Sequence, residues 1–285
     1  MNIDLRQLRS FVAIIDEGSF TDAAIELRMS QAAVSRNLAA LESALGARLV
    51  RRTTRTVELT PAGERAIPHA RRAIANVAEL QRAAQHGHGV LTFGYAWSAL
   101  GKHTVEFQRR WAAAHPDSEL ELVRLNSPTA GLAEGSAQLS ILRRPLTTRD
   151  YEVALVGMER RYCAMASDHP LASRRSITLA DVATSPLAID SRTGSTVLDL
   201  WPEGARPARV IDTNDVDDWL ALISSARAFG MTSEATAHQY RRPGVSYRLV
   251  RDAPRIAVYL AWSRIDPPAQ LTDVLELVSE LYRKP

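Results

Sequence analysis

LRQLRSFVAIIDEGSFTDAAIELRMSQAAVSRNLAALESALGARLVRRTTRTVELTPAGE, residues 5–64, decides how the first part of this chain folds. Asp4 supplies a cap, and Leu5, Leu8, Val12 and Ile15 recur at the spacing of one helix face, so a first helix runs towards Gly18. Thr21 opens a short second helix with Ala23, Ala24 and Leu27 facing inward. Ser30 caps a third, along which Val34, Leu38, Leu41 and Leu45 step by four, three and four until Gly46 stops it. Three short helices with tight turns, the last amphipathic and capped, predict a helix-turn-helix. Residues 47–59 are rich in Thr and Val, and two short runs at 49–51 and 57–59 flank a polar tip at 53–56 and read as a two-stranded wing. Thr60-Pro61 is a cap followed by proline at the first helical position, which starts a fourth helix reaching about residue 85.

That fourth helix carries Ala66, Ala70, Ala73, Val77, Leu80 and Ala84 as one narrow apolar stripe, interrupted by a helix-kinking Pro68. Such a stripe calls for a partner helix, most simply that of a second copy of the chain. His86-Gly87-His88-Gly89 reads as a hinge, and its two histidines, with no third ligand nearby, make no metal site. Beyond it the texture becomes α/β. Strands are predicted at 90–95, 119–125, 138–142, 152–157, 161–166, 187–190, 209–212, 245–250 and 256–262. Helices are predicted at 98–113, 129–134, 216–228 and 268–282. This alternation implies open sheets with helices on both faces, which hold ligands at the carboxyl ends of their strands.

Composition bounds the function. A chain of 285 residues, 46% hydrophobic and 24% charged, suits two or three globular domains. No apolar run approaches the length of a membrane span, and the first residues lack the order of a secretory signal, so the expected location is the cytoplasm. The single cysteine, Cys163, excludes an internal disulfide and is expected to be a small buried hydrophobe. Residues 1–89 carry 12 Arg against nine Asp and Glu, whereas residues 90–285 balance 23 basic against 23 acidic side chains. Surplus positive charge at one end, with Arg48, Arg51, Arg52 and Arg55 close together, points to phosphate contact by that part only.

An enzyme is the main rival class. The chain has no Gly-Lys-Ser/Thr phosphate loop, no Gly-x-Gly-x-x-Gly run and no Gly-x-Ser-x-Gly elbow, and its seven histidines fall in no relay spacing. Neither a catalytic residue nor a cofactor is expected. A secreted solute-binding protein would share the α/β half without the helix-turn-helix. A ligand-independent DNA binder would leave residues 90–285 unexplained.

Residues 5–64 closely resemble the N-terminal module of the LysR-type transcriptional regulators. The match runs in order through Leu8–Phe11, Gly18-Ser19-Phe20, Ala23-Ala24, Ser30-Gln31, Val34-Ser35-Arg36, Leu41-Glu42, Leu45-Gly46, Leu49, Arg52 and Leu59-Thr60 with Ala62-Gly63. Past Gly89 it is looser, resting on LTFGY, the His115-Pro116 and His169-Pro170-Leu171 turns and the order of elements. The resemblance implies a winged helix-turn-helix over 1–60, a dimerisation helix and hinge over 61–89, and a two-lobed, periplasmic-binding-protein-like effector domain over 90–285. Lobe I is expected at 90–163 and 266–285 and lobe II at 164–265. It implies a regulator that binds promoter DNA, itself and a small effector, and that can contact RNA polymerase.

Position and resemblance together make Ser30, Gln31, Ala32, Ser35 and Arg36 the DNA-reading set, since arginine can grip a guanine edge and glutamine an adenine. Arg52, Thr53, Thr54 and Arg55 flank the wing tip, where resemblance sends Arg55 into the minor groove and the threonines can bond phosphates. Trp97, Ser98 and Ala99 end a strand and open a predicted helix whose free amides would attract an anion. Resemblance puts the other pocket walls at Asn126, Ser127, Leu142, Arg143, Asp190, Arg192, Thr193, Thr213 and Asn214. Arg143 and Arg192 there suit a carboxylate or phosphate. Trp219 is expected in the core. The sequence departs from the family pattern at Ala32, Asn37 and Val50, the first two being candidate DNA-facing positions, and at Gln138 and Ala99 in the sensing half.

Overall fold

The Asp4 carboxylate accepts the Arg6 N–H at 2.9 Å while Gln7 reaches back to the Asp4 N–H at 3.1 Å, a capping box that starts α1 (Leu5–Asp16). The computed structural model describes residues 3–52, 57–86, 89–207 and 209–283. The residues α1 buries completely are Ser10, Phe11 and Ile14, one step round from the Leu5–Leu8–Val12–Ile15 stripe, which is only half-buried. The reason is that α1 packs on three neighbours, α2 (Phe20–Glu26), α3 (Gln31–Leu45) and α4 (Pro61–His86), so its buried arc is wider than one stripe. Ser19, not Thr21, sets the start of α2 by accepting the Asp22 N–H. In α3, Ser30 Oγ accepts the Ala33 N–H and Gly46, at φ +65°, turns the chain away.

Strands β1 (Val50–Arg52) and β2 (Val57–Leu59) pair antiparallel, Val50 opposite Leu59. Buried Glu42 on α3 fixes this wing, accepting the N–H groups of Leu49 (2.8 Å) and Val50 (3.2 Å) and an Arg48 Nη1–H (2.8 Å). A Cβ at Gly63 would lie 2.1 Å from the Leu49 carbonyl oxygen, so only glycine lets α4 approach the wing. Thr60 Oγ1 caps α4 through the Gly63 N–H, α4 continues through Pro68, and Arg71 ties it to Asp16 of α1 by an ion pair. Residues Met1–Val90 with Ala133–Ser136 make one compact unit, and Leu91–Leu132 with Ala137–Pro285 make a second. Thr53–Thr56 at the wing tip and Gly87-His88 of the expected hinge lie outside the described residues.

The second part of the chain runs β3 (Gly89–Tyr95), α5 (Thr104–Ala114), β4 (Ser118–Arg124), β5 (Leu139–Leu142), β6 (Tyr151–Glu159), β7 (Arg161–Ala166), β8 (Ser176–Ile177), α6 (Leu179–Val182), β9 (Leu187–Ile189), β10 (Val210–Asp212), α7 (Val216–Ser224), β11 (Phe229–Ser233), α8 (Glu234–Gln239), β12 (Val245–Val250), β13 (Ile256–Ser263) and α9 (Leu271–Arg283). One sheet has the order β4-β3-β5-β13-β6, with Phe93, Phe107, Trp111 and Val278 in its core. The other has the order β10-β9-β11-β7-β12-β8, packed on Met165 and Phe229 in one cluster and on Trp219 and Ile223 in another.

Several expectations need correction. β13 belongs to lobe I, paired with β5 and β6, and β7 belongs to lobe II, so the crossovers fall at residue 160 and near 251–255 rather than at 164 and 265. A strand goes where its ladder partners are, and the run 256–263 offered no local sign of which sheet that was. Residues 98–100 are not helical. A 3-10 turn at Gly101–His103 precedes α5, and the Thr104 hydroxyl accepts the Leu100 N–H. Turns replace the helix expected at 129–134, with Ala130 and Gly131 at φ +48° and +102°. α7 stops at Ser224, because Ala226 takes φ +56°, residues 225–228 turn the chain, and β11 and α8, neither of them expected, follow. Cys163 is fully buried, and burial pushes its thiol well above the usual range. No described helix is long and apolar enough to cross a membrane.

Candidate functional site

With Val34, Leu38 and Leu41 buried, the opposite face of α3 carries Gln31, Ala32 and Arg36, all exposed, and the half-buried Ser35. The four DNA-reading candidates on the helix therefore share one outward face, and Ser30 serves them as its cap. Asn37 does not join them: its Nδ2 donates to Ser10 Oγ at 2.9 Å and ties α3 to α1. Exposed Arg48 and Arg51 stand at the start of the wing, and Arg52 ends β1. Thr53, Thr54 and Arg55 lie outside the described residues.

In the second unit, a cavity of about 430 Å³ opens between the lobes. Trp97, Ser127, Leu142, Arg143 and Arg144 line it from lobe I, and Ser191, Arg192 and Thr193 from lobe II. Its lining holds three arginines and no carboxylate, with Ala96, Ile141, Pro145 and Leu146 giving an apolar floor. Ser127 Oγ is buried and has no hydrogen-bond partner. A buried hydroxyl without a partner is costly, and a polar ligand atom would relieve it. Sequence reasoning missed Arg144; the signal was its adjacency to Arg143.

Beside this cavity, Asp190 gathers several of the expected wall residues. Its Oδ2 accepts from Trp97 Nε1 (3.1 Å) and Asn126 Nδ2 (2.8 Å), and its Oδ1 from the N–H groups of Arg192 (2.9 Å) and Thr193 (3.2 Å). Burial works to raise the Asp190 pKa, but the Asn126, Arg192, Thr193 and Trp97 donors outweigh it and hold the carboxyl below its usual range. Asn126 Nδ2 and an Arg192 Nη2–H both donate to the Asn214 carbonyl, and the Thr193 hydroxyl donates to Asn126 Oδ1 at 2.7 Å. Thr213 is buried and caps the end of β9 by donating to the Ile189 carbonyl.

Three expected ligand contacts, Arg143 at the cavity wall and the buried Ser98 and Ala99, are already engaged by other residues. Arg143, its side chain 10% exposed, forms an ion pair with Glu159 at 2.9 Å and donates to the carbonyls of Ser98 (2.6 Å) and Ala99 (2.7 Å). Burial would raise the Glu159 pKa, yet the adjoining guanidinium holds it lowered, and Tyr282 adds a hydrogen bond at 2.7 Å. Ser98 and Ala99 are buried, Ser98 Oγ meeting Thr236 Oγ1 at 3.1 Å, so no amide there opens a helix towards a ligand. Gln138 Oε1 accepts the Thr92 N–H, a scaffold role. Trp219 is in the core, donating to the Ala188 carbonyl.

Comparison with known proteins agrees across the chain. Residues 5–64 match the family described as "Bacterial regulatory helix-turn-helix protein, lysR family", and residues 84–283 match the "LysR substrate binding domain". The uncharacterized HTH-type transcriptional regulator YnfL of Escherichia coli (strain K12) is 34% identical over 210 residues, 70% of each chain. The HTH-type transcriptional regulator ShiR of Corynebacterium glutamicum (strain R) is 30% identical over 298 residues, covering 99% of this chain and 100% of ShiR. The crystal structure of CbnR, a LysR family transcriptional regulator, shares the fold with a TM-score of 0.69 over 98% of this chain and 99% of CbnR, at 22% identity. With a capped helix-turn-helix over its first residues, a two-sheet α/β part after it and both matched to family models, the chain belongs to the LysR family of DNA-binding transcriptional regulators and is not an enzyme.

Proposed function

We propose that this regulator is controlled by a small organic molecule with an anionic or strongly polar group, bound in the cavity between the lobes. The observation that supports it is the cavity lining, three arginines with no carboxylate around a buried, unpartnered Ser127 hydroxyl. Arg143 is already neutralised by Glu159, so the charge of the ligand falls to the exposed Arg144 and Arg192, and its body to Leu142, Pro145 and Leu146. On the DNA side, Gln31, Ala32, Ser35 and Arg36 read base edges from the major groove, and the wing arginines hold phosphate. The protein works in the cytoplasm as a homo-oligomer joined through α4, and it meets RNA polymerase at the promoters it controls.

Calorimetry of the purified chain against a panel of metabolic carboxylates and phosphates tests the ligand reading. Arg144→Ala and Arg192→Ala should each weaken a binding member about five- to twentyfold, in keeping with loss of a charge-assisted hydrogen bond. Unchanged affinity in both variants, or a crystal with the ligand outside the interlobe cavity, overturns it.

A further inference from the structure

Two residues expected at the pocket wall, Trp97 and Asn126, are already holding a carboxylate. Trp97 Nε1 and Asn126 Nδ2 come from lobe I, and they converge on an Asp190 oxygen from lobe II at 3.1 and 2.8 Å. The other oxygen is held by two backbone N–H groups of its own lobe, those of Arg192 and Thr193. The Asp190 side chain is fully shielded from solvent, and its nearest cation, Arg192 Nε, stands 3.7 Å away. With the Thr193 hydroxyl, 3.1 Å from the first oxygen, the carboxylate accepts five hydrogen bonds, two from lobe I and three from lobe II, the coordination a bound carboxylate would receive. Asp190 is absent from the cavity lining, whereas its donor Trp97 and its turn neighbours Ser191, Arg192 and Thr193 form part of that wall.

We propose that Asp190 is a tethered ligand of the cleft: its carboxylate occupies the Trp97–Asn126 corner, holds the two lobes together without effector, and denies that corner to an effector's own carboxylate. The proposal rests on the reading that the interlobe cavity takes the effector, and it assigns that effector's charge to the Arg144–Arg192 side. A second carboxylate brought to Trp97 and Asn126 would have to displace the first or share its donors, and two like charges at hydrogen-bond distance from the same groups repel strongly. Tyr240, whose hydroxyl donates to the Trp97 carbonyl at 2.7 Å, adds a second lobe II contact to the same segment.

The test is chemical rescue in the full-length protein, read by hydrogen–deuterium exchange and thermal melting with sodium formate against sodium chloride at equal ionic strength. Asp190→Ala removes the tethered carboxylate and leaves its donors. The expected result is a melting temperature lowered by about 5 °C, with faster exchange around residues 97–99, 125–129 and 189–193. Formate should restore both by refilling the corner, and should leave the unmodified protein unchanged. Trp97→Phe loses a lobe I donor while keeping the lobe II turn, so it should loosen the same segments with no formate rescue. This arm stands if Asp190→Ala fails to fold. Unaltered exchange in both variants, or an equal formate response in variant and parent, overturns the proposal. Because no effector enters the experiment, its failure is separate from a failure to find an effector.

Discussion

Arg143 shows how much one side chain's meaning depends on what faces it. Read along the chain, it is a cleft arginine suited to an anion. In the fold its anion is Glu159, sixteen positions away on β6, and two carbonyls take further donors. Arg143→Ala would leave that carboxylate buried among neutral donors, the Tyr282 and Ser233 hydroxyls and the Ala235 N–H, in place of the guanidinium. The expected loss is about 3–5 kcal/mol in urea unfolding, far more than removal of an exposed arginine costs. Acid behaviour follows in sign. Glu159 and Asp190 both titrate below the usual carboxylate range when folded. Their contribution is therefore complete above the unfolded values near pH 4 and is lost as pH falls through the lowered folded ones. Denaturation midpoints measured from pH 6 to 3 should drop in the parent protein, and the Glu159 share of that drop should vanish in Arg143→Ala. A sequence displays charges but not their pairing across strands. For the same reason Asn37 looked DNA-facing, although it is spent on Ser10.

At the scale of elements, legibility followed the range of the interactions. Helices α1, α3 and α4 were readable because their start signals lie within three residues of the first turn, as with Asp4–Gln7, Ser30–Ala33 and Thr60–Gly63. β11 was not, because Phe229–Ser233 is buried on both faces and shows none of the alternation that marks a half-exposed strand. The start of α5 slipped because the 3-10 turn at Gly101–His103 shares the spacing of a helix. The recognition helix is the element whose reading is open to the sharpest test. Arg36→Ala should weaken operator binding by about 1–3 kcal/mol and relax preference at one base pair per half-site. Titrations on operator and on random DNA check this, and equal losses on both would remove Arg36 from the base-reading set. Of the candidate site, the α3 face and the cavity walls at Ser127, Leu142, Arg192 and Thr193 were legible. Which arginine stays available, and which carboxylate fills a corner, depended on partners 16 to 93 residues apart in sequence.

Across the whole molecule, α4 leaves Leu80 68% exposed beside half-buried Val77. An apolar side chain so exposed on a long helix gains from burial against a second copy, and Val77→Glu with Leu80→Glu should yield monomers by light scattering. A double variant that stays dimeric would place the main interface elsewhere. The corrected crossovers also change how lobe I is put together. Glu159 at the end of β6 stands opposite Ile256 at the start of β13, in an antiparallel pair. Lobe II is thus inserted at the tip of what would otherwise be a β-hairpin, and the two cut ends already lie side by side. The order of synthesis follows from this. As the chain leaves the ribosome, lobe II has all of its strands, β7 to β12, before β13 and α9 exist, so it can fold first as an enclosed insert. Lobe I waits for the last thirty or so residues to supply its fifth strand and the α9 residues Val274, Val278 and Leu281 of its core. A ribosome that stops short of β13 releases a finished lobe II attached to an open sheet, whose exposed edge at β5 is the template on which nascent copies would aggregate.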